Sequence, residues 1–166
     1  MTEDKITLDE TLEEMENSYM SEDELIKNIL EAANFENDED LWREIEIARN
    51  GKVLFSFRVR PLTGEELERS KKEGRKYTKA RGRKVLDDID EQAIRAWIIY
   101  TATVDEDKAK IWDNDRVKRS LNCLHGTDVV QETLRPGEIN AIVDVLDEIS
   151  GYDVDFQEES FDKIKN

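Results

Sequence analysis

Only one stretch of this chain alternates with period two, and it is short. Ile45 and Ile47 alternate with Glu44 and Glu46, and Val53, Phe55, Phe57 and Val59 alternate with Leu54, Ser56, Arg58 and Arg60. Between them stands Asn50-Gly51, the pair that suits a two-residue hairpin turn because both central positions take a positive φ. Side chains of a strand change face at every residue, so the alternation predicts an antiparallel hairpin from about Glu44 to Val59. A strict two-residue turn would set Ile47 opposite Leu54, off the Phe55 face. A longer turn or a bulge is therefore expected, and the register stays open. Pro61 ends the second strand, since it has no N–H to give to a ladder.

Elsewhere the apolar spacing is helical. Ser21 and Glu24 form a capping box, ahead of Leu25, Ile26, Ile29, Leu30 and Ala33, which are expected to face inward. "NFENDED" reads as a loop. Thr63 and Glu66 form a second capping box, with Leu62 and Leu67 spaced as a hydrophobic staple and Gly74 placed to stop the helix. Residues 91–104 carry a helical stripe of Ile94, Trp97, Ile98 and Thr101 after an Asp90 cap, which favours helix. Their β-branched content suits a strand as well. A further helix starts near Asn114, with Val117, Leu121 and Leu124 inward and Gly126 as its stop, and Thr127 opens a short helical turn through Leu134. The clearest helix follows Pro136, which suits a first-turn position. Its stripe is Ile139, Ile142, Val143, Leu146 and Ile149, with Gly151 as C-cap and Tyr152 folding back onto Leu146. The fold class expected is mainly α (α+β): a compact helical domain with one small antiparallel β-hairpin. Residues 1–20 read as an acidic, partly disordered arm, 21–153 as the single domain, and 154–166 as a loose polar tail.

Charge bounds the partners. The chain has 166 residues, 40% charged and 37% hydrophobic, with a formal net charge of −16. Such a charge favours solubility and disfavours non-specific contact with DNA or anionic membranes. It is unevenly spread. Residues 1–50 hold 17 acids against 4 bases, residues 51–84 hold 12 bases against 4 acids, and residues 85–166 hold 20 acids against 9 bases. The basic island centres on Arg75, Lys76, Lys79, Arg81, Arg83 and Lys84, with Gly82 inside, and reads as a mobile loop or irregular edge over 75–84. Basic loops neutralise phosphates by releasing counterions, but Tyr77 is the one aromatic among them for base stacking. Pairing with acidic protein faces is the plainer use of the loop.

Catalytic and metal chemistry find little support. Cys123 is the lone cysteine and His125 the lone histidine, too few for an internal disulfide or a four-ligand zinc site. Two residues apart on a helix, they would point about 200° from each other. Gly64 belongs to no phosphate-binding loop, because G-x-x-x-x-G-K-[ST] is absent. Asp105 to Arg116 lacks the central glycine and final glutamate of a calcium loop. No cofactor is expected. No apolar run nears the ~20 residues of a membrane helix, and the acidic N-terminus lacks the apolar segment of a signal peptide. A soluble protein of the cytoplasm is expected.

Three segments together carry a resemblance: the hairpin leading into "FSFRVRPLTGEEL", the mid-chain "IRAWIIYTATV", and "TLRPGEINAIVDVLDEISGY". Over roughly residues 20–153 the chain is similar to the XkdN-like phage tail assembly chaperones of tailed phages and prophages of Gram-positive bacteria. The resemblance implies a non-enzymatic protein that holds the long, aggregation-prone tape measure protein while tail tube subunits assemble around it, and that is absent from the finished tail. It implies the tape measure protein as partner, with the tail tube protein and self-association as further contacts, and no catalytic residues. The alternative reading is a small binding module that contacts nucleic acid or an acidic partner through residues 75–84. Two stripes are candidate client contacts: the N-terminal Leu8, Leu12, Met15 and Tyr19, spaced as one helical face, and the final-helix Ile139, Ile142, Val143 and Leu146. The first is favoured, because the chain's own core can bury the second.

Overall fold

The computed structural model describes residues 20–80 and 87–151, giving the helical backbone alone for 76–80 and 87–90. Two units divide between Asn37 and Asp38. The described part of the first holds helix α1 (Glu22–Ala33) and a 3-10 turn over Phe35–Asn37. The Ser21 side chain caps α1 by accepting from the Glu24 N–H at 3.3 Å. No residue of α1 is buried. The inward orientation expected for Leu25, Ile26, Ile29, Leu30 and Ala33 is thus corrected. One amphipathic helix has no means of covering its own stripe, and burial requires a second element laid against it.

The second unit opens with a 3-10 turn (Glu39–Leu41) and the hairpin β1 (Arg43–Arg49) and β2 (Lys52–Val59). Asn50 and Gly51 take φ of 54° and 75°, the double positive φ that a two-residue turn needs. The register slips between Ile47 and Ala48, so that Ala48 pairs with Val53 and Ile47 with Phe55. Leu54 is the extra residue of a bulge. That bulge returns Ile45 and Ile47 to the face of Phe57 and Phe55, and so resolves the register by keeping both apolar rows on the core side.

Five helices complete the chain as far as α6: α2 (Gly64–Ala80), α3 (Asp87–Ala102), α4 (Asp105–Lys110), α5 (Asp115–Leu121) and α6 (Gly126–Thr133). The last is α7 (Pro136–Ile149). Among the described residues the fold is mainly α with one small antiparallel hairpin, as the periodicities predict. The capping box of α2 forms as read: Glu66 N–H donates to Thr63 Oγ1 and Thr63 N–H to Glu66 Oε1, both at 3.1 Å. The ambiguity over residues 91–104 resolves by division of labour. Residues through Ala102 are helix, and Thr103 then bridges to Val59 on the free edge of β2. Arg60 N–H donates to Ala102 O at 2.9 Å and Val104 N–H to Arg58 O at 3.0 Å.

Several sequence expectations shift. Helix α3 begins at Asp87 rather than after an Asp90 cap. Helix α5 is capped by Asn114, whose side chain accepts from Arg116 and Val117 N–H, but it ends at Asn122 in the left-handed conformation. Leu121 and Leu124 are consequently exposed, at 42% and 79%, not inward. Gly126 opens α6 instead of closing α5. Gly74 lies inside α2. The fold-back of Tyr152 lies outside the described residues.

The core joins the hairpin to the helices. Phe57 and Phe55 meet the Trp112 ring edge-on, with centroids 5.2 and 6.0 Å away. Ile47, Val59, Ile99, Val130, Ile142 and Leu146 belong to the same buried cluster. Trp112 is fully buried, and its indole N–H donates to Thr103 Oγ1 at 2.9 Å.

Candidate partner-binding surfaces

The arginines that crowd the hairpin are tied into the fold. Arg60 donates to both oxygens of Glu66, at 3.0 and 2.6 Å. Burial by itself would raise the Glu66 carboxyl; hydrogen bonds from Arg60 and the Thr63 backbone outweigh it and lower it to about 2. Arg58 grips Asp107 through two nitrogens and reaches Glu106, which fastens β2 to α4. Arg49 holds Glu138 at 2.7 Å and the Thr133 carbonyl at 2.7 Å, which fastens the end of β1 to the start of α7. The Arg49 hydrogen bond, helped by Arg135, brings the Glu138 carboxyl down to about 2. These pairs explain the busy Arg58–Glu66 corner as scaffold.

Cys123 and His125 follow α5 in a loop rather than sharing a helix. Cys123 is half-buried against the core, and His125 occupies the N-cap position of α6, where its backbone N–H meets Asp128. Among the described residues no group of three or more His, Cys, Asp or Glu is placed to hold a metal ion. Among them, no helix is long and apolar enough to cross a membrane.

Among the described residues, two surfaces combine exposed apolar side chains with a stripe or a groove. One is the stripe of α1: Leu25, Ile26, Ile29 and Leu30 are 49–64% exposed. The other is a groove of about 410 Å³ between β1 and α7, lined by Glu44 to Ala48 on one side and by Arg135, Glu138, Ala141, Ile142 and Val145 on the other. Sequence reasoning missed both. The α1 stripe has the spacing of any core helix, and the groove arises only when α7 lies along β1.

The residues singled out for partner binding fall largely elsewhere. Leu8, Leu12, Met15 and Tyr19 lie outside the described residues. Of the basic island, Arg75, Lys76 and Lys79 sit on α2, which runs to Ala80, so this part is helix rather than the loop expected over 75–84. Arg81, Arg83 and Lys84 lie outside the described residues. Gly74, expected to stop the helix, instead keeps a helical backbone and packs closely against Ile94 of α3.

The family of phage XkdN-like tail assembly chaperone proteins matches residues 26–165. The chain belongs to that family. The match spans the hairpin, the corner at Pro61 and the α7 segment on which the resemblance rests. No curated protein and no solved structure matches the chain. As a tail assembly chaperone of phage, it has a role in assembly.

Proposed function

We propose that this chain holds the tape measure protein soluble while a phage tail is built. It works by binding alone, without enzymatic activity, in the cytoplasm of the host, and leaves before the virion is complete. The observation that carries this reading is the α1 stripe. Four large aliphatic side chains stand half-exposed on a capped helix, a surface that an amphipathic helix of a client can cover. The client that the resemblance implies is long and rich in helical apolar stripes. The N-terminal residues Leu8, Leu12, Met15 and Tyr19, whose spacing in sequence is helical, are proposed as a second client contact. The net charge of −16 would keep the complex in solution.

Co-expression with the tape measure protein tests the reading. Removal of residues 1–20, and separately the pair Ile29→Ser and Leu30→Ser, should each lower the soluble fraction of the client and leave the circular dichroism of the second unit intact. Client solubility equal in all forms would overturn the proposal. Neutralising Arg75, Lys76, Lys79, Arg81, Arg83 and Lys84 should leave client solubility unchanged. Nucleic-acid affinity at physiological salt that vanishes in this variant would favour the binding-module alternative.

A further inference from the structure

Among the described residues, no strand pairs with the outer edge of β1: the sheet there has two strands, and the far edge of β2 is engaged by Thr103 and its neighbours. Every second residue of β1 turns its N–H and C=O away from β2. Consecutive residues from Glu44 to Ala48 line the groove beside α7. Residues of both parities line a groove only where the strand's backbone edge, rather than one face, borders it. At a rise of about 3.3 Å per residue this edge is roughly 13 Å long.

The groove also states what would fit it. On the core side, the half-buried Ile45 and the Ala141 and Val145 side of α7 offer an apolar wall. On the outer side stand Glu44 and Glu46, both exposed and without an ion pair among the described residues. The nearby arginines are committed, since Arg49 and Arg135 both bind Glu138. A strand added at this edge would therefore alternate: apolar where it faces α7, basic where it lies beside Glu44 and Glu46.

We propose that the β1 edge and the α7 groove dock an extended segment of a partner chain, apolar at every second position and lysine- or arginine-bearing between, by β-strand addition. A second copy of this chain is a poorer occupant. Antiparallel pairing of β1 with itself about its centre would set Glu46 against Glu46, and like charges directly opposite destabilise a strand pair. The site takes an extended segment rather than a helix and does not depend on the α1 reading.

The test uses the full-length protein and a labelled, end-blocked peptide of alternating lysine and valine, followed by fluorescence anisotropy. Five comparisons are made: the glutamate–valine peptide, the lysine–valine peptide N-methylated at alternate amides, and the variants Ala141→Trp, Glu46→Lys and Ile29→Ser with Leu30→Ser. Binding of the lysine peptide should exceed that of the glutamate peptide by about tenfold or more, equivalent to ~1.4 kcal/mol. N-methylation and Ala141→Trp should each abolish that advantage, and Glu46→Lys should shrink it. Ile29→Ser with Leu30→Ser should leave it unchanged, so that failure here and failure of the α1 reading are told apart. No binding would overturn the proposal. So would equal binding of the N-methylated peptide, which carries the same charge and would mark bulk electrostatic attraction. A concentration-dependent dimer that Ala141→Trp dissolves would overturn it in favour of self-pairing. Should Ala141→Trp fail to fold, the Glu46→Lys and N-methyl arms decide alone.

Discussion

Gly74 of α2 stands so close to Ile94 of α3 that a β-carbon on Gly74 would lie 2.8 Å from the Ile94 Cα and 3.0 Å from its Cγ1. The obstacle is backbone, which has no rotamer with which to give way. A residue that resembles a helix stop is instead what lets two helices pack at close range. Gly74→Ala should therefore destabilise the protein by about 1–3 kcal/mol through overpacking, although alanine in an unencumbered helix would gain up to ~1 kcal/mol. Urea denaturation checks the sign, and a stabilised variant would contradict the packing.

Gly51 is held by a different constraint. Nothing lies within 4 Å of a β-carbon there, but its φ is +75°. The cost of Gly51→Ala is then conformational, about 1 kcal/mol. The drop in thermal midpoint should be smaller than for Gly74→Ala, because no neighbour has to move.

Thr103 links helix, sheet and core. Fully buried, it donates to Ile99 O at 2.7 Å and accepts the Trp112 indole N–H at 2.9 Å. Thr103→Val leaves the buried indole N–H without its acceptor and should cost about 1–3 kcal/mol. Thr103→Ser keeps both hydrogen bonds and should cost less. A Thr103→Val loss no larger than that of Thr103→Ser, measured by chemical denaturation, would contradict the role given to the hydroxyl.

Glu66 and Glu138 make the fold acid-sensitive. Both carboxyls sit at about 2 in the folded protein against an ordinary 4.5. A depressed carboxyl adds stability that is complete above its unfolded value and is lost as pH falls toward its folded one. For Glu66, a partly buried group, solvent screening reduces the contribution of the shift to about 1–2 kcal/mol. Stability should decline between about pH 5 and pH 2. Glu66→Gln should be clearly weaker than the parent at pH 7 and nearly equal to it at pH 2, read from urea midpoints across that range.

Local pattern settled much of this chain. The Thr63–Glu66 capping box, the Asn50-Gly51 turn, the start of α7 at Pro136 and its buried stripe all depend on residues within a few positions of one another, so their spacing in sequence is already their geometry. The −16 charge and the solitary Cys123 and His125 likewise bounded the chemistry before any fold was drawn. Helix limits were less legible: Gly74 and Gly126 each suit a helix end by local rules, yet one is needed for contact with Ile94 and the other begins α6. Tertiary structure alone decided which apolar faces found cover. Leu30 and Ile142 belong to stripes of the same period; Ile142 is buried because the hairpin and α7 share a core, while no side chain of α1 is buried. The groove at β1 has the same origin. Its two walls are about ninety residues apart in the chain, brought together by the Arg49–Glu138 pair, and the period of each segment shows which face is buried but not which distant segment covers it.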